Sequence, residues 1–454
     1  MDRSEEMRGQ SIGRLLWTFS LPTIVGMLVN SLYNVIDRIF VGRGIGAIAI
    51  AATTVAFPIM ILLMAVSLLI GVGATALISI RLGEQKKDEA EKVAGNAMGM
   101  LILLPAILAI IFLLFTEPIL IAFGASKAVL PYAKDFMQII MLGSVFGSVS
   151  MGMNNFIRAE GNPKMAMYTQ LLGAVINVAL NYVFIFIYGW GMRGSALATI
   201  IAQLVSAIWV LGYFFTGKSL IKIRLKNLKP AWPVLTSIMA IGFAPFAMQT
   251  ASSIQQLILN KTLMVYGGDM ALSAVGIMMS ISTLLFMPVL GLSQGAQPII
   301  GFNYGARQYG RVKETWKKAV WAGTCIALVG YLAIRIWPTP LVELFSNGDT
   351  ALTVMTTHAM MIFFAVLPVI GFQVISSTYF QAVGKARQSA VLSLSRQVLF
   401  FIPLLLVLPH FWGIDGVWRT APIADLLSVI LTAIFIFSEM RKLEPGWTDC
   451  TDCN

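Results

Sequence analysis

The chain has 454 residues, of which 57% are hydrophobic and only 12% charged, about half the charged share usual in a soluble domain. With a mean hydropathy of +0.81, this excludes a water-soluble enzyme, a free nucleic-acid module and a disordered chain. The net charge of +11 suits basic loops on one face of a membrane, so the placement of the cations carries the next step.

A helix crosses the hydrocarbon with about 20 apolar residues. Charge-free runs of that kind extend over Leu15–Ile36, Gly44–Ile80, Val93–Thr116, Phe136–Ile157, Met165–Met192 and Gly194–Gly217. They continue over Ala231–Asn260, Met270–Ala306, Ala319–Ile334 and Thr350–Gly384, and the last two spans, about 388–410 and 417–438, include the charges Arg396 and Asp425. These runs are too long for barrel strands, so the fold class is an all-α integral membrane protein of twelve transmembrane helices. An even count places both termini on one side. The inner segments then gather most of the Lys and Arg, among them Arg14, Lys86, Lys87, Arg158, Lys222, Arg311, Lys317 and Arg441. The outer ones hold few, among them Arg43, Lys127 and Arg193. That asymmetry puts the termini in the cytoplasm. No cleavable signal peptide is expected, because the first span contains Pro22 and Asp37 and lacks a small-residue cleavage site.

The halves repeat. Shifted by about 222 residues, Pro22 falls on Pro245, Gly46 on Gly268, Gly73-Ala74 on Gly295-Ala296, Gly83 on Gly305, Gly161 on Gly384 and Trp190-Gly191 on Trp412-Gly413. Each half holds six spans, an arrangement that places a transporter's site near the midplane between repeats. The expected units are a first lobe over 1–217, a basic connector over 218–232, a second lobe over 233–440 and a tail over 441–454.

Polar residues within the spans are few. Asn30, Tyr33, Asn34 and Asp37 share one face of the first span. An intramembrane carboxylate is costly and marks a functional site by default. Withdrawn from bulk water it holds a proton more readily, whereas amide donors to the carboxylate oppose this. The competing reading is an interfacial Asp paired with Arg38 or Arg43. Asn177 and Asn181, four apart, either join an ion site or make ordinary interhelical hydrogen bonds. Pro22 bends the first span, as a fixed kink or as a bend that straightens on protonation. On the seventh span Gln249, Ser252, Ser253, Gln256 and Asn260 recur at helical spacing. Asp425 and Arg396 read as a structural ion pair or as functional groups. His358 and His410 stand alone without metal-ligand spacing. Cys450 and Cys453 form one C-x-x-C in the tail, weak as a zinc or redox signal. No Walker A sequence is present, and nothing points to an enzyme or a resident cofactor.

Taken in order, SLPTIVGMLVNSLYNVIDRIFVG, NNFIRAEGNPKMAM, INVALNYVFIF, FNYGA and GFQVISSTYFQAVGKARQSAVLSLSRQ, with the six-plus-six duplication, resemble the multidrug and toxic compound extrusion (MATE) transporters. The details are closest to the bacterial DinF-like and MepA-like branches. The resemblance implies two pseudo-symmetric six-helix lobes in a V, and export of drugs or toxins, chiefly organic cations, in exchange for H+ or Na+. It implies an ion-coupling set at Tyr33, Asp37, Asn154, Asn177, Asn181 and Thr199, with Asn181 standing where one branch has a second carboxylate. Another branch has an essential Glu near Ser253, which is absent here and argues against coupling in the second lobe. Met27, Met64, Met151 and Met287 lie on cleft-lining helices of the family and join Asn30, Gln249, Ser253, Gln256 and Asn260 as substrate-binding candidates, thioethers being adaptable. For any single Met, gap filling or lipid contact is the rival role. The implied setting is a monomer in the bacterial inner membrane, contacting lipid and no nucleic acid. The rival function is a flippase for a lipid-linked oligosaccharide, which would need a cationic cleft. A major-facilitator carrier fits less well, since RLGEQKKDEAEK lacks that group's loop pattern.

Overall fold

The computed structural model describes residues 7–217, 219–346 and 350–443. Its helices are α1 (Ile12–Gly44), α2 (Ala47–Gly83), α3 (Lys87–Leu114), α4 (Thr116–Ala122), α5 (Leu130–Ala159), α6 (Pro163–Tyr182) and α7 (Gly191–Phe215). After the connector come α8 (Trp232–Gly305), α9 (Tyr309–Ile336), α10 (Pro338–Ser346), α11 (Thr350–Phe363), α12 (Leu367–Ala382), α13 (Ala386–Leu394) and α14 (Ile402–Lys442). Lipid offers no hydrogen bonds, so a backbone that satisfies itself within each helix is what this composition demands.

Among the described residues ten helices are long and apolar enough to cross a membrane, α8 counting as two because it breaks at Gly268 (φ +61°, ψ −159°), and α11 with α12, bent by 53°, form an eleventh. The last of the ten, Ala386–Lys442, is broken at Gly413, where φ is +55° and ψ −136°. It therefore crosses twice, and the crossings number twelve, as the apolar runs indicate.

The duplication is written in the backbone. Left-handed φ values occur at Gly46 and Gly268, at Gly161 and Gly384, and at Gly191 and Gly413, all pairs from the sequence alignment. They also occur at Gln85 and Arg307, the positive-φ non-glycine residues among those described, and these two align with each other although their side chains differ. Turns between spans need this conformation whatever residue occupies it.

Three hydrophobic cores explain the V. One is shared, joining Ile12, Phe19 and Ile70 of the first half to Ile238, Leu292 and Ile299 of the second. Another belongs to the first half alone, around Val41, Ala56, Met137 and Ala196. The third belongs to the second half alone, around Leu263, Met278, Leu405 and Trp418. The halves are thus fused at the end that carries the termini and separately packed beyond it. At the fused end, a Cβ on Gly83 would overlap the Phe302 carbonyl and one on Gly305 the Ile80 carbonyl. These two contacts exchange under the repeat, so small residues let the lobes approach through a pseudo-symmetric interface.

The connector is strapped to the first half. Glu91, 2% exposed, accepts the Lys222 N–H at 3.1 Å and pairs with Arg224 Nε at 2.8 Å. Asn96 donates to the Asn227 carbonyl at 3.0 Å and accepts from the Ala231 N–H at 2.6 Å. The buried Glu160 accepts from the Tyr213 hydroxyl, from Ser219 Oγ at 2.5 Å and from the Leu220 N–H at 3.0 Å.

Candidate functional site

α1 runs unbroken through the buried Pro22 and carries the polar stripe. Asn30 is exposed, while Met27, Tyr33 and Asp37 are half-buried. The side chains of Asn34 and Arg38 lie outside the described residues. Across from the stripe, α6 presents Asn177 and Asn181, both buried. The Asn181 amide donates to Asp37 Oδ1 at 2.7 Å and to Asn177 Oδ1 at 3.0 Å. Asn177 in turn donates to Thr199 Oγ1 at 3.2 Å, and the Thr199 hydroxyl donates to the Ser195 carbonyl at 3.1 Å. Four side chains from three helices therefore form one hydrogen-bonded chain that ends on a carboxylate.

The orientation of that chain leaves acceptors over. Both hydrogens of the Asn181 amide are engaged, and its own buried oxygen, Oδ1, meets no donor among the described residues. Asn154 on α5, 3% exposed, is in the same position through its Oδ1. Buried acceptors without donors are uncommon and call for an explanation. Carboxylate and amide oxygens are the donor set that hard cations take, and a carboxylate is also a proton acceptor. Of the sequence-derived ion set, the structure joins Asp37, Asn181, Asn177 and Thr199 directly, and Asn154 takes no part in that chain through its carbonyl. A π-helical turn, Val183–Ile187, follows Asn181 at once, and such turns are frequent at functional sites.

The second half is built otherwise. Along the first part of α8 the Gln256 amide donates to Asn260 Oδ1 at 2.8 Å and Ser253 Oγ to the Gln249 carbonyl at 3.3 Å. A second π-helical segment, Ser395–Phe401, places Gln397 so that it donates to Ser252 Oγ at 2.7 Å. Its neighbour Arg396 bonds Asp425 through Nε and Oδ1 at 2.5 Å, and Asp425 is 3% exposed. The two charges thus form a pair in which Asp425 is buried and Arg396 half-buried. Met151 and Met287 are half-buried and Met64 is exposed.

Two details were not readable in the sequence. His358 does not stand alone, because its Nε2 lies 3.0 Å from Asp415 Oδ1; both sit on turns of different spans that only the fold brings together. Gln397 was missed because its partner Ser252 lies 145 residues away. Among the described residues no three His, Cys, Asp or Glu side chains gather as a metal-binding group.

A family model, MatE, matches this chain twice, at residues 22–183 and again at 245–407. The chain belongs to the MATE family. The two matched segments fall one in each half of the duplication, the first holding Asp37, Asn177 and Asn181 and the second Arg396 and Gln397. Among curated proteins the chain is 27% identical over 433 residues to the multidrug export protein MepA of Staphylococcus haemolyticus strain JCSC1435, covering 95% of both chains. It is 26% identical over 419 residues to MepA of Staphylococcus aureus strain N315, covering 92% of both. Among solved structures it matches the MATE multidrug transporter DinF-BH, solved as a ligand complex, with a TM-score of 0.88, at 37% identity over 95% of this chain and 96% of that one. An outward-facing MATE transporter of the MOP superfamily gives a TM-score of 0.92 at 23% identity, over 98% and 99%, a likeness of fold. This MATE chain is a multi-pass membrane transporter and not an enzyme.

Proposed function

We propose that this MATE protein is a secondary antiporter that exports organic cations in exchange for a proton or a sodium ion taken up at the Asp37 cluster. The observation that carries the reading is the chain Thr199–Asn177–Asn181–Asp37, which ends on a carboxylate and leaves amide oxygens without donors. A cation entering there would find the Asn181 and Asn154 amide oxygens, which meet no donor among the described residues. The relatives named as multidrug export proteins, and the multidrug transporter DinF-BH with its bound ligand, support the cargo class. Tyr33, Asn34 and Asn154 complete the ion site in this reading. Pro22 is where α1 bends in response. Asn30, Met27, Met64, Met151 and Met287, with Gln249, Ser253, Gln256 and Asn260, line the cargo path between the lobes.

The working units are 1–217, 218–232, 233–440 and 441–454, the transporter acts as a monomer, and it sits in the bacterial inner membrane with both termini cytoplasmic. The fused end then faces the cytoplasm and the cleft opens outward. Ion uptake from outside would favour the opposite state, in which cytoplasmic cargo binds; coupling requires ion and cargo to prefer different states. No resident cofactor enters this cycle. For the flippase alternative, the Arg396 guanidinium would have to meet a pyrophosphate, and here it meets Asp425.

The test is ethidium transport in proteoliposomes under a proton gradient and, separately, a sodium gradient, for the wild type and Asp37→Asn. Ethidium driven by one gradient and lost in Asp37→Asn is the expected result and names the ion. Wild-type transport that survives Asp37→Asn would overturn the site. No movement under either gradient, with a lipid-linked oligosaccharide moved instead, would favour the flippase.

A further inference from the structure

A charge is buried where the two lobes meet. Arg158 stands next to last in α5 and is 7% exposed. Its guanidinium crosses from the first lobe to the second and donates to Gln294 Oε1 on α8 at 2.5 Å. That amide oxygen is neutral, and among the described residues no carboxylate pairs with Arg158. The acid two residues on, Glu160, is turned to Tyr213 and the connector. The neighbours of both partners, Phe156, Ile157 and Ala159 on one side and Leu292 and Ala296 on the other, belong to the core that both lobes share. A guanidinium carries several N–H donors and cannot shed its charge. Leaving water for a neutral acceptor is therefore costly to the state in which this end is closed.

The same seam carries further polar groups that closure leaves short of partners. Ser20 Oγ on α1, Ser79 Oγ on α2 and Gln297 Nε2 on α8 are buried and meet no partner among the described residues. A Cβ on Gly295 would overlap Ser20, and one on Gly301 would press on Ser79 at 3.0 Å, so both serines lie against the facing lobe. Buried polar groups ordinarily find a partner. A seam that is always dry has no use for these, whereas one that parts satisfies them with water. The repeat shows that the charge is not needed for packing. By its alignment Arg158 corresponds to Gln381 and Gln294 to Val72, so the related positions carry an amide and an aliphatic side chain.

We propose that Arg158 is a gating residue of the transport cycle. Its charge, dried when the lobes meet, works against closure of the fused end and returns the protein to the state open on that side, while Gln294 limits the strength of this push. The inference rests on the proposed alternation between two states and does not depend on which ion binds at Asp37. The shared apolar core and the close glycine contacts drive closure, and Arg158 keeps closure from becoming a trap. The two partners therefore act in opposite directions. Without the charge, closure gains. Without the amide oxygen, the charge loses its acceptor and closure is weakened. A plain latch would be loosened by loss of either partner.

The experiment measures how fast a water-soluble maleimide labels Ser79→Cys in the full chain in lipid nanodiscs, with Cys325→Ala, Cys450→Ser and Cys453→Ser as background and neither gradient nor cargo present. Ser79 is fully buried, so its thiol is reached when the fused end parts. Arg158→Gln, which installs the residue of the related position, should slow labelling roughly fivefold, and Gln294→Val should speed it roughly fivefold. Arg158→Lys keeps the charge and should stay near the wild-type rate. The double variant Arg158→Gln with Gln294→Val should behave as Arg158→Gln does, because the amide has no guanidinium left to serve. Circular dichroism and the unfolding temperature check that each variant is folded. Faster labelling in both single variants would make the contact a latch and overturn the proposal. So would unchanged rates in both, or an Arg158→Lys rate equal to that of Arg158→Gln. A wild type that is never labelled would overturn both this proposal and the two-state cycle beneath it. Opposite shifts in the two single variants, with ethidium transport intact in Asp37→Asn, would uphold the gate and remove the Asp37 site.

Discussion

In the first lobe the hydrogen bond described to Asp37 comes from a neutral amide, that of Asn181. In the second, Asp425 faces the guanidinium of Arg396. The repeat relates α6 and α7 to α13 and the later part of α14, whereas α1, which carries Asp37, is related to the first part of α8. An amide donor bonds a carboxylate without cancelling its charge. An acid held by an arginine already has its cation, covalently tethered and always charged. On the proposed reading the first lobe exchanges a cation and the second packs a charge pair, and this comparison can be broken at either end.

The largest effect is expected on stability in the second lobe. Asp425→Asn leaves the half-buried Arg396 without its counter-charge and should destabilise the protein by about 1.5–3 kcal/mol, seen as a lowered unfolding temperature in detergent. The double change Arg396→Leu with Asp425→Leu should recover most of that loss, since a buried pair replaced by apolar groups is often near neutral. Asp37→Asn should do the reverse, leaving unfolding nearly unchanged while reducing gradient-driven ethidium efflux roughly a hundredfold. If Asp425→Asn abolished coupling and spared stability, the division between the lobes would fail. Next comes Gly83→Leu, which forces a side chain onto the Phe302 carbonyl at the fused end. Overpacking of this kind costs about 1–3 kcal/mol and should open that end, read as faster labelling of a cysteine introduced beside it. Asn181→Leu removes the donor to Asp37, a charge-assisted bond worth about 1.5–3 kcal/mol, and should weaken coupling about tenfold. Thr199→Val, three hydrogen bonds removed from the carboxylate, should cost about 0.6 kcal/mol and slow efflux two- to threefold. The gradient from Asp37 through Asn181 to Thr199 is itself the check: equal losses at all three would point to simple packing.

Much of this was legible before any coordinates. Apolar runs of spanning length are a local property, so the twelve crossings follow from composition along the chain. The duplication is legible because turns that need a left-handed backbone keep glycine, as at Gly46 and Gly268. The Gln85 and Arg307 pair escaped notice, because a shared backbone conformation with unlike side chains leaves no mark in the letters. The α1 stripe showed in helical spacing, and Asn177 and Asn181 showed as neighbours one turn apart. Which amide reaches Asp37 depends on the packing of α1 against α6, and no spacing rule contains that. Arg396 with Asp425 and His358 with Asp415 are contacts between separate spans and were invisible for the same reason. Gly413 hides a turn inside a continuous helical pattern, so the final two crossings read more clearly from hydropathy than from helix bounds.

The strap formed by Glu91, Asn96 and Glu160 bears on how the lobes are joined. Because the connector is hydrogen-bonded to the first lobe as far as the Ala231 N–H, and α8 begins at Trp232, the covalent joint is not a loose tether but a pivot one peptide long. A cut made before Glu91's and Glu160's partners would strip the first lobe of part of its own floor. A cut at the pivot would leave two pieces, each with its six crossings, held by the shared core and by hydrogen bonds such as those from Arg158 to Gln294 and from Arg311 to the Met7 and Gln10 carbonyls. The transporter is in that sense a heterodimer whose subunits happen to be synthesised on one ribbon.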